Sequence, residues 1–243
     1  MSGTACQIPP HRRIVNRTME QYIHEKKAIH AKSFQSGKSS GKCDILDLAL
    51  LDPEYGSRAS TAELVDQLKT FFFAGHDTTA STISWSYYYL SHNPAALSRL
   101  RAELDEVFGQ GTSPADVAKQ FRENPKCHLK LDYTLAVVKE TLRLEPPAAS
   151  ARAAPPNYSF TTSSGTVYYP TEGTMLYTSA WFLHRNKSVW GENALEFQPE
   201  RFLPGAPLPR GYMPFSKRPR DCIGSTLAYL EVPETLARCR LIL

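Results

Sequence analysis

The sequence predicts a mainly α-helical fold with small β-sheets in its second half. Three observations carry this. Apolar residues recur at helical spacing from Ser60 to Leu90 without a break. Two further stretches of the same kind follow, each with its own start and stop signals. After Tyr158 the chain turns to short β-type runs separated by turns.

Residues 11–34 read as an amphipathic helix, with Ile14, Val15, Met19, Tyr22, Ile23 and Ile29 at helical spacing. A Ser/Gly/Lys connector over 36–42 comes next. Asp44 to Leu51 makes a short helix that Asp52-Pro53 ends. Ser60, with Glu63 three residues on, is a capping box, and Leu64, Leu68, Phe71, Phe72 and Gly75 follow at spacings of three and four. A helix of about 30 residues is roughly 45 Å long, so it crosses a whole domain. Asn93-Pro94 opens the next helix as N-cap and first-turn proline. Leu97, Leu100, Leu104 and Val107 supply its stripe, and Gly109 its stop. Residues 110–128 read as irregular. Asp132 caps a third helix carrying Leu135, Val138 and Leu142, which Pro146-Pro147 ends. Strands are expected over 158–162, 167–170 and 175–179. From Trp181 to Phe215 the chain is a proline-rich aromatic coil, and one last helix lies beyond Cys222.

Composition narrows the class. The 243 residues are 42% hydrophobic and 21% charged, which suits a soluble globular chain and is too apolar for a disordered one. No run of about 18 apolar residues occurs, so no membrane-spanning helix is expected. The first residues have no apolar core to serve as a secretory signal. The net charge of +4 is uneven. Eight Lys/Arg (Arg12, Arg13, Arg17, Lys26, Lys27, Lys32, Lys38, Lys42) face only Glu20 and Glu25 between residues 11 and 42. They are scattered among apolar residues without an aromatic platform. A solvated helix face is the preferred reading, and no nucleic-acid partner is expected. Five cysteines (Cys6, Cys43, Cys127, Cys222, Cys239) form neither a CxxC pair nor an even framework, which argues for a reducing or cytosol-facing compartment.

Four segments could carry chemistry. Cys222 follows a rigid cationic loop, Pro214 to Asp221, and precedes a helix. Helix N–H groups and guanidinium groups stabilise thiolates, so a cysteine in such a place is either a nucleophile, a metal ligand or an inert thiol. Glu140 and Arg143 share a helix face, a pair worth about 0–1 kcal/mol at a surface and much more if buried. Ala74-Gly-His-Asp-Thr-Thr79 puts a polar turn inside an apolar helix; the glycine costs roughly 1 kcal/mol relative to alanine. A neighbour is therefore expected to need the space Gly75 leaves. Thr78 can return its hydroxyl to the Ala74 carbonyl, and Asp77 beside it makes an acid–alcohol pair suited to passing protons. Phe197-Gln-Pro-Glu-Arg201-Phe202 holds an arginine between prolines and aromatics.

The order and spacing of these four motifs resemble the cytochrome P450 haem-thiolate family over nearly the whole chain. Asp44-Ile-Leu-Asp-Leu and the stretch from Trp181 to Ala194 look like that family too. The style is similar to eukaryotic microsomal members, fungal ones among them. The resemblance implies a partial cytochrome P450 fold over 1–243, covering the second half only. Its parts are a helix and connector region (1–59), a long-helix and ExxR-helix region (60–157), and a region of small strands, coil and cysteine loop (158–243). It implies haem b as cofactor, with Cys222 as the axial thiolate on the iron. Phe215 lies beside the sulfur, Arg220 and Arg152 meet the propionates, and Ala74 and Gly75 border the oxygen pocket. Asp77 and Thr78 deliver protons to bound dioxygen, and Glu140, Arg143 and Arg201 form a buried charge triad. The implied reaction inserts one oxygen atom from O2 into an apolar small molecule, with NADPH acting through a P450 reductase. Lys217, Arg218 and Arg210 are a docking face for that reductase. The full-length relative is expected at the endoplasmic reticulum membrane, facing the cytosol.

Two departures stand out. The family's loop normally has glycine where this chain has Arg218, and an arginine in a left-handed backbone there carries about 1–2 kcal/mol of strain. Pro233 falls inside the final helix, where it removes a hydrogen bond to Tyr229 and costs about 3 kcal/mol. With the upstream half of the fold missing, the alternative reading is a truncated non-catalytic fragment or interaction module.

Overall fold

The computed structural model describes residues 10–36, 43–162, 164–166, 168–208 and 211–239. They group into two compact units, residues 1–76 and 77–243. The protein is mostly helical with two small antiparallel sheets, as the sequence predicts. Among the described residues no helix is long and apolar enough to cross a membrane.

In the first unit α1 (Pro10–Ser36) is the helix expected over 11–34. Its Ile23 is buried in a small core with Leu46, Leu64 and Val65. The second helix, α2 (Ile45–Leu51), starts with a reciprocal cap: Asp44 accepts from the Asp47 amide and Asp47 from the Asp44 amide, both at 2.9 Å. Lys26 of α1 donates to Asp47 at 2.6 Å and lies 2.7 Å from Asp44. That ammonium first, and then the Asp44 amide, hold the buried Asp47 carboxyl well below the usual carboxylate range. One cation of the basic stretch thus ties α1 to α2, whereas Arg12, Arg13 and Arg17 are exposed. Lys38, Lys42 and Cys6 lie outside the described residues. The short α3 (Tyr55–Arg58) leads to α4 (Thr61–His92), where Ser60 Oγ accepts from the Glu63 amide at 3.1 Å. The residues of α4 up to His76 belong to this unit and those from Asp77 to the second.

The second unit holds two apolar clusters, a larger one that includes Leu90, Leu100, Leu104, Val137, Leu142 and Leu236 and a smaller one of Ala136, Trp190, Ala194 and Phe202. Its helix α5 (Pro94–Phe108) begins after Asn93 and stops at Gly109, which adopts φ +87°. The Asn93 side chain does not cap α5. Its amide donates instead to the Tyr89 carbonyl at 2.7 Å and so closes the end of α4. The segment read as irregular, 110–128, is largely ordered. It holds α6 (Pro114–Glu123), started by Ser113 accepting from the Asp116 amide, and the beginning of a 3₁₀ turn over Pro125–Lys130.

Helix α7 (Asp132–Leu144) is the most buried element of the site described below. Asp132 is its first residue and not its cap. The capping acid comes from α5: Glu103 accepts from the Tyr133 amide at 2.6 Å, the Thr134 amide at 2.8 Å and the Thr134 hydroxyl at 2.6 Å. A carboxylate set on orphan N–H groups at a helix start is favoured by hydrogen bonding and by the helix dipole.

The sheets are a β2 (Ser159–Thr161)/β3 (Tyr168–Pro170) hairpin and a pair formed by β1 (Ser150–Ala153) and β4 (Met175–Thr178). β1 is an addition to the predicted elements. Its Ser-Ala-Arg-Ala has no strong strand former, and it becomes a strand because β4 offers a partner, with Arg152 opposite Leu176. The coil after Trp181 is punctuated by α8 (Ala180–Leu183), α9 (Lys187–Trp190) and a 3₁₀ turn over Pro199–Phe202. The final helix, α10 (Ser225–Arg238), runs through Pro233, which is buried beside Val232 and Leu236.

The Glu103 clamp gives a direct test. Glu103→Ala should lower the unfolding free energy by about 1–2 kcal/mol in chemical denaturation. Glu106→Ala, at an exposed position one turn on, should stay within about 0.5 kcal/mol of the parent.

Candidate functional site

Glu140 and Arg143 are three residues apart on α7 and both wholly buried. Arg143 Nε donates to Glu140 Oε2 at 2.6 Å and Nη2 to Oε1 at 2.9 Å, the bidentate geometry that a planar guanidinium favours. Its other N–H groups meet three carbonyls of the following coil: His184 O at 2.7 Å, Ala194 O at 2.6 Å and Glu196 O at 3.0 Å. All five donors are therefore used. Glu140 also accepts from the Gln198 amide at 2.8 Å. Burial pushes the Glu140 carboxyl up from its ordinary value, and the Arg143 guanidinium acts against this. Arg201, the third expected member, lies 3.6 Å from Glu140 and donates to the Asn193 carbonyl at 2.8 Å. The triad is assembled, with Arg201 joined to it more by charge than by hydrogen bonds.

The same coil leads to the cysteine loop through His184, fully buried at the end of α8. His184 Nδ1 is 3.0 Å from the Arg143 carbonyl, and Nε2 accepts from the Met213 amide at 2.9 Å. Beyond Met213 the chain turns, with the Ser216 amide donating to Met213 O at 3.1 Å and the Cys222 amide to Phe215 O at 2.9 Å. Ser216 is the left-handed residue of the loop, at φ +63°, and Arg218 is not at positive φ. The strain expected at Arg218 is thus absent. The Arg218-Pro219 bond is cis.

The loop forms one wall of an open cavity of about 210 Å³. Cys222, a free and exposed thiol, lies in that wall with Phe215 and Arg220. Val138 and Leu142 of α7, Ala148 after it and Val232 of α10 help to make the cavity apolar. Arg152 is outside the lining, but its Nη2 reaches the Arg220 carbonyl at 3.5 Å and so sets a second guanidinium near Arg220. Neither arginine forms an ion pair among the described residues.

Helix α4 contributes Thr78, Thr79 and Thr82 to the cavity. Thr82 Oγ1 donates to Thr78 O at 2.9 Å and Ser86 Oγ to Thr82 O at 2.8 Å. Ser86 also donates to Thr141 Oγ1 of α7 at 3.2 Å. Asp77 is exposed and is not among the lining residues. Adjacent residues on a helix face different ways, so the wall takes Thr78 and leaves Asp77 to solvent. Ala74 and Gly75 are exposed and belong to the unit of residues 1–76. Nothing described stands within 4 Å of where a Cβ on Gly75 would be.

The family model for cytochrome P450 matches residues 6–239. This chain belongs to the cytochrome P450 family. Among its curated relatives is the cytochrome P450 monooxygenase polC of Polytolypa hystricis, 40% identical over 70% of this chain and 31% of that protein. The cytochrome P450 monooxygenase acrF of Aspergillus aculeatus is 35% identical over 71% of this chain and 38% of its own. Human cytochrome P450 4V2 is 38% identical over 80% and 35%. The chain therefore spans about a third of the length of these relatives. P450 family members are haem-thiolate enzymes, and the residues here fit that group. Among the described residues no cluster of three or more His, Cys, Asp or Glu could hold a bare metal ion. A single cysteine sulfur beside apolar walls, with two guanidinium groups that form no ion pair among the described residues, is a donor set that suits an iron whose other ligands come with a macrocycle carrying carboxylates.

Cys222, Phe215, Arg220 and Thr78 are thus brought to one cavity, and Glu140, Arg143 and Arg201 to one buried hub next to it. The roles of His184, the Gln198 amide, Thr82 and Ser86 escaped the sequence reading. The four-residue spacing of Thr78, Thr82 and Ser86 is the signal that could have shown the last two.

Removing one partner of a buried, hydrogen-bonded pair costs about 3–5 kcal/mol. Glu140→Ala should therefore lose that much stability in denaturant unfolding and expose the coil over 184–198 to proteolysis before the helices.

Proposed function

We propose that this chain carries the haem-thiolate centre of a monooxygenase that inserts one atom of O2 into an organic, apolar substrate. In this reading NADPH supplies the electrons through a P450 reductase, and the three regions of the chain are parts of one P450 domain. The observation that carries it is the free Cys222 thiol, set in the wall of an apolar cavity on a loop fastened to the buried Glu140–Arg143 pair.

Cys222 Sγ holds the iron of haem b, Phe215 shields the sulfur, and the Arg220 and Arg152 guanidinium groups receive the propionates. Bound there, the haem supplies oxygen activation, for which electron donation from a thiolate favours O–O cleavage. Thr78 Oγ1, on the cavity wall, holds a water. The exposed Asp77 carboxylate takes protons from solvent and passes them to that side of the helix. Val138, Leu142 and Val232 give the cavity apolar walls for such a substrate. Lys217 and Arg218, on the exposed side of the loop, meet an acidic reductase surface, a complementarity that acts chiefly on encounter rate. Arg210 lies outside the described residues. In this reading the full-length relative sits at the endoplasmic reticulum membrane and the chain faces the cytosol.

One observation favours a second reading, a non-catalytic fragment or interaction module. Large apolar side chains stand in solvent, among them Phe73 at 69% and Ile223 at 87% exposure.

Reconstitution separates the two. Purified protein titrated with haem, reduced and exposed to carbon monoxide should give the red-shifted Soret band of a thiolate complex, and Cys222→Ala should abolish it. A band that survives this substitution removes Cys222 as ligand. Aggregates that take up no haem stoichiometrically would favour the second reading.

A further inference from the structure

His184 joins the two halves of the site and has no part in the chemistry set out above. It is buried, its ring 5.5 Å from that of Tyr212 in a stacked arrangement and 5.9 Å from that of Trp190 edge-on. A backbone amide only donates and a carbonyl only accepts, so these partners fix the ring's protons. Nε2 must offer its lone pair to Met213 N–H, and Nδ1 must carry the hydrogen given to Arg143 O. Both ring nitrogens are used, in one neutral tautomer.

We propose that His184 is a positioning residue for the Cys222 loop. Through Nδ1–H it takes its place from the α7 backbone at Arg143, and through Nε2 it sets the amide of Met213, the first of three residues, Met213-Pro214-Phe215, that wall the cavity. The buried charge pair is thereby connected to the cysteine by a single imidazole. The inference rests on the haem-thiolate reading for its purpose, while the link itself belongs to the protein alone.

Arg143 on α7, with Glu140 behind it, and the adjoining Arg185 place guanidinium groups near the His184 ring, and Tyr212 covers one face. Burial chiefly, with help from these two cations, lowers the His184 pKa from 6.5 to about 4, against the hydrogen bond to the Arg143 carbonyl, which raises it. The folded state therefore favours the neutral ring. Its advantage is whole above pH 6.5 and is lost as the pH falls through 4, when Nε2 can no longer accept.

The test reads hydrogen exchange at the Met213 amide in the haem-free chain, with the core amide of Leu236 as reference. His184→Phe fills the space but offers no polar atoms, and it should lower Met213 protection at least about tenfold relative to Leu236. His184→Gln can donate and accept, and should keep that protection. After haem loading, the thiolate Soret band with carbon monoxide should weaken in His184→Phe and persist in His184→Gln. Unchanged Met213 protection in His184→Phe overturns the proposal. Should that variant not fold, the wild type and His184→Gln are compared between pH 7 and 4. Met213 protection in the wild type should drop at least about tenfold relative to Leu236 while the variant holds, and parallel behaviour overturns the proposal. If Cys222→Ala keeps the Soret band, the haem reading fails, and the exchange result still decides the His184 link.

Discussion

The buried pair of Glu140 and Arg143 is the constraint on which the second unit depends. Two charges taken out of water carry a desolvation cost that their attraction alone does not cover, so such a pair persists only when every remaining donor and acceptor finds a partner. Here the surplus donors of Arg143 fall on the carbonyls of residues 184, 194 and 196, and the surplus acceptor of Glu140 on the amide of Gln198. The coil has little regular structure of its own, and its path is dictated by the directions in which a planar guanidinium can point. Trp190, whose ring lies 4.9 Å from the Arg143 guanidinium, closes the hub on one side.

Much of this was legible beforehand. The helices α1, α4, α5 and α7 could be read because each carries an apolar period, a last helix was expected beyond Cys222, and the Glu140/Arg143 spacing marks a shared helix face. What stayed hidden has a common physical origin. The acceptors of Arg143 are backbone carbonyls, which leave no mark in a sequence. The acid on the start of α7 is Glu103, twenty-nine positions before Asp132, so no local window contains it. Helix α6 buries only Val117 and Ala118, too short a stripe for periodicity, though Ser113-Pro114-Ala-Asp116 is a start signal. The strand β1 takes its conformation from β4 and not from its own residues.

The cysteine loop shows why a motif departure is not yet a structural one. Arg218 occupies a position where the family normally has glycine, yet the left-handed turn is made by Ser216. The Ser216 side chain is in turn joined to Ser150 of β1 at 3.2 Å. Pro233 behaves similarly: α10 continues through it, with the ring packed against apolar neighbours. In both cases the surroundings accommodate the unusual residue, and the thiol keeps its place in the wall.

The hydroxyl column on α4 has a mechanical meaning. At Thr82 and Ser86 a side chain binds the carbonyl four residues back, which that carbonyl must share with the helix's own amide. Such sharing loosens the ladder and lets a helix curve while its groups stay satisfied. The stretch of helix that lines the chamber at Thr78, Thr79 and Thr82 can therefore yield without melting.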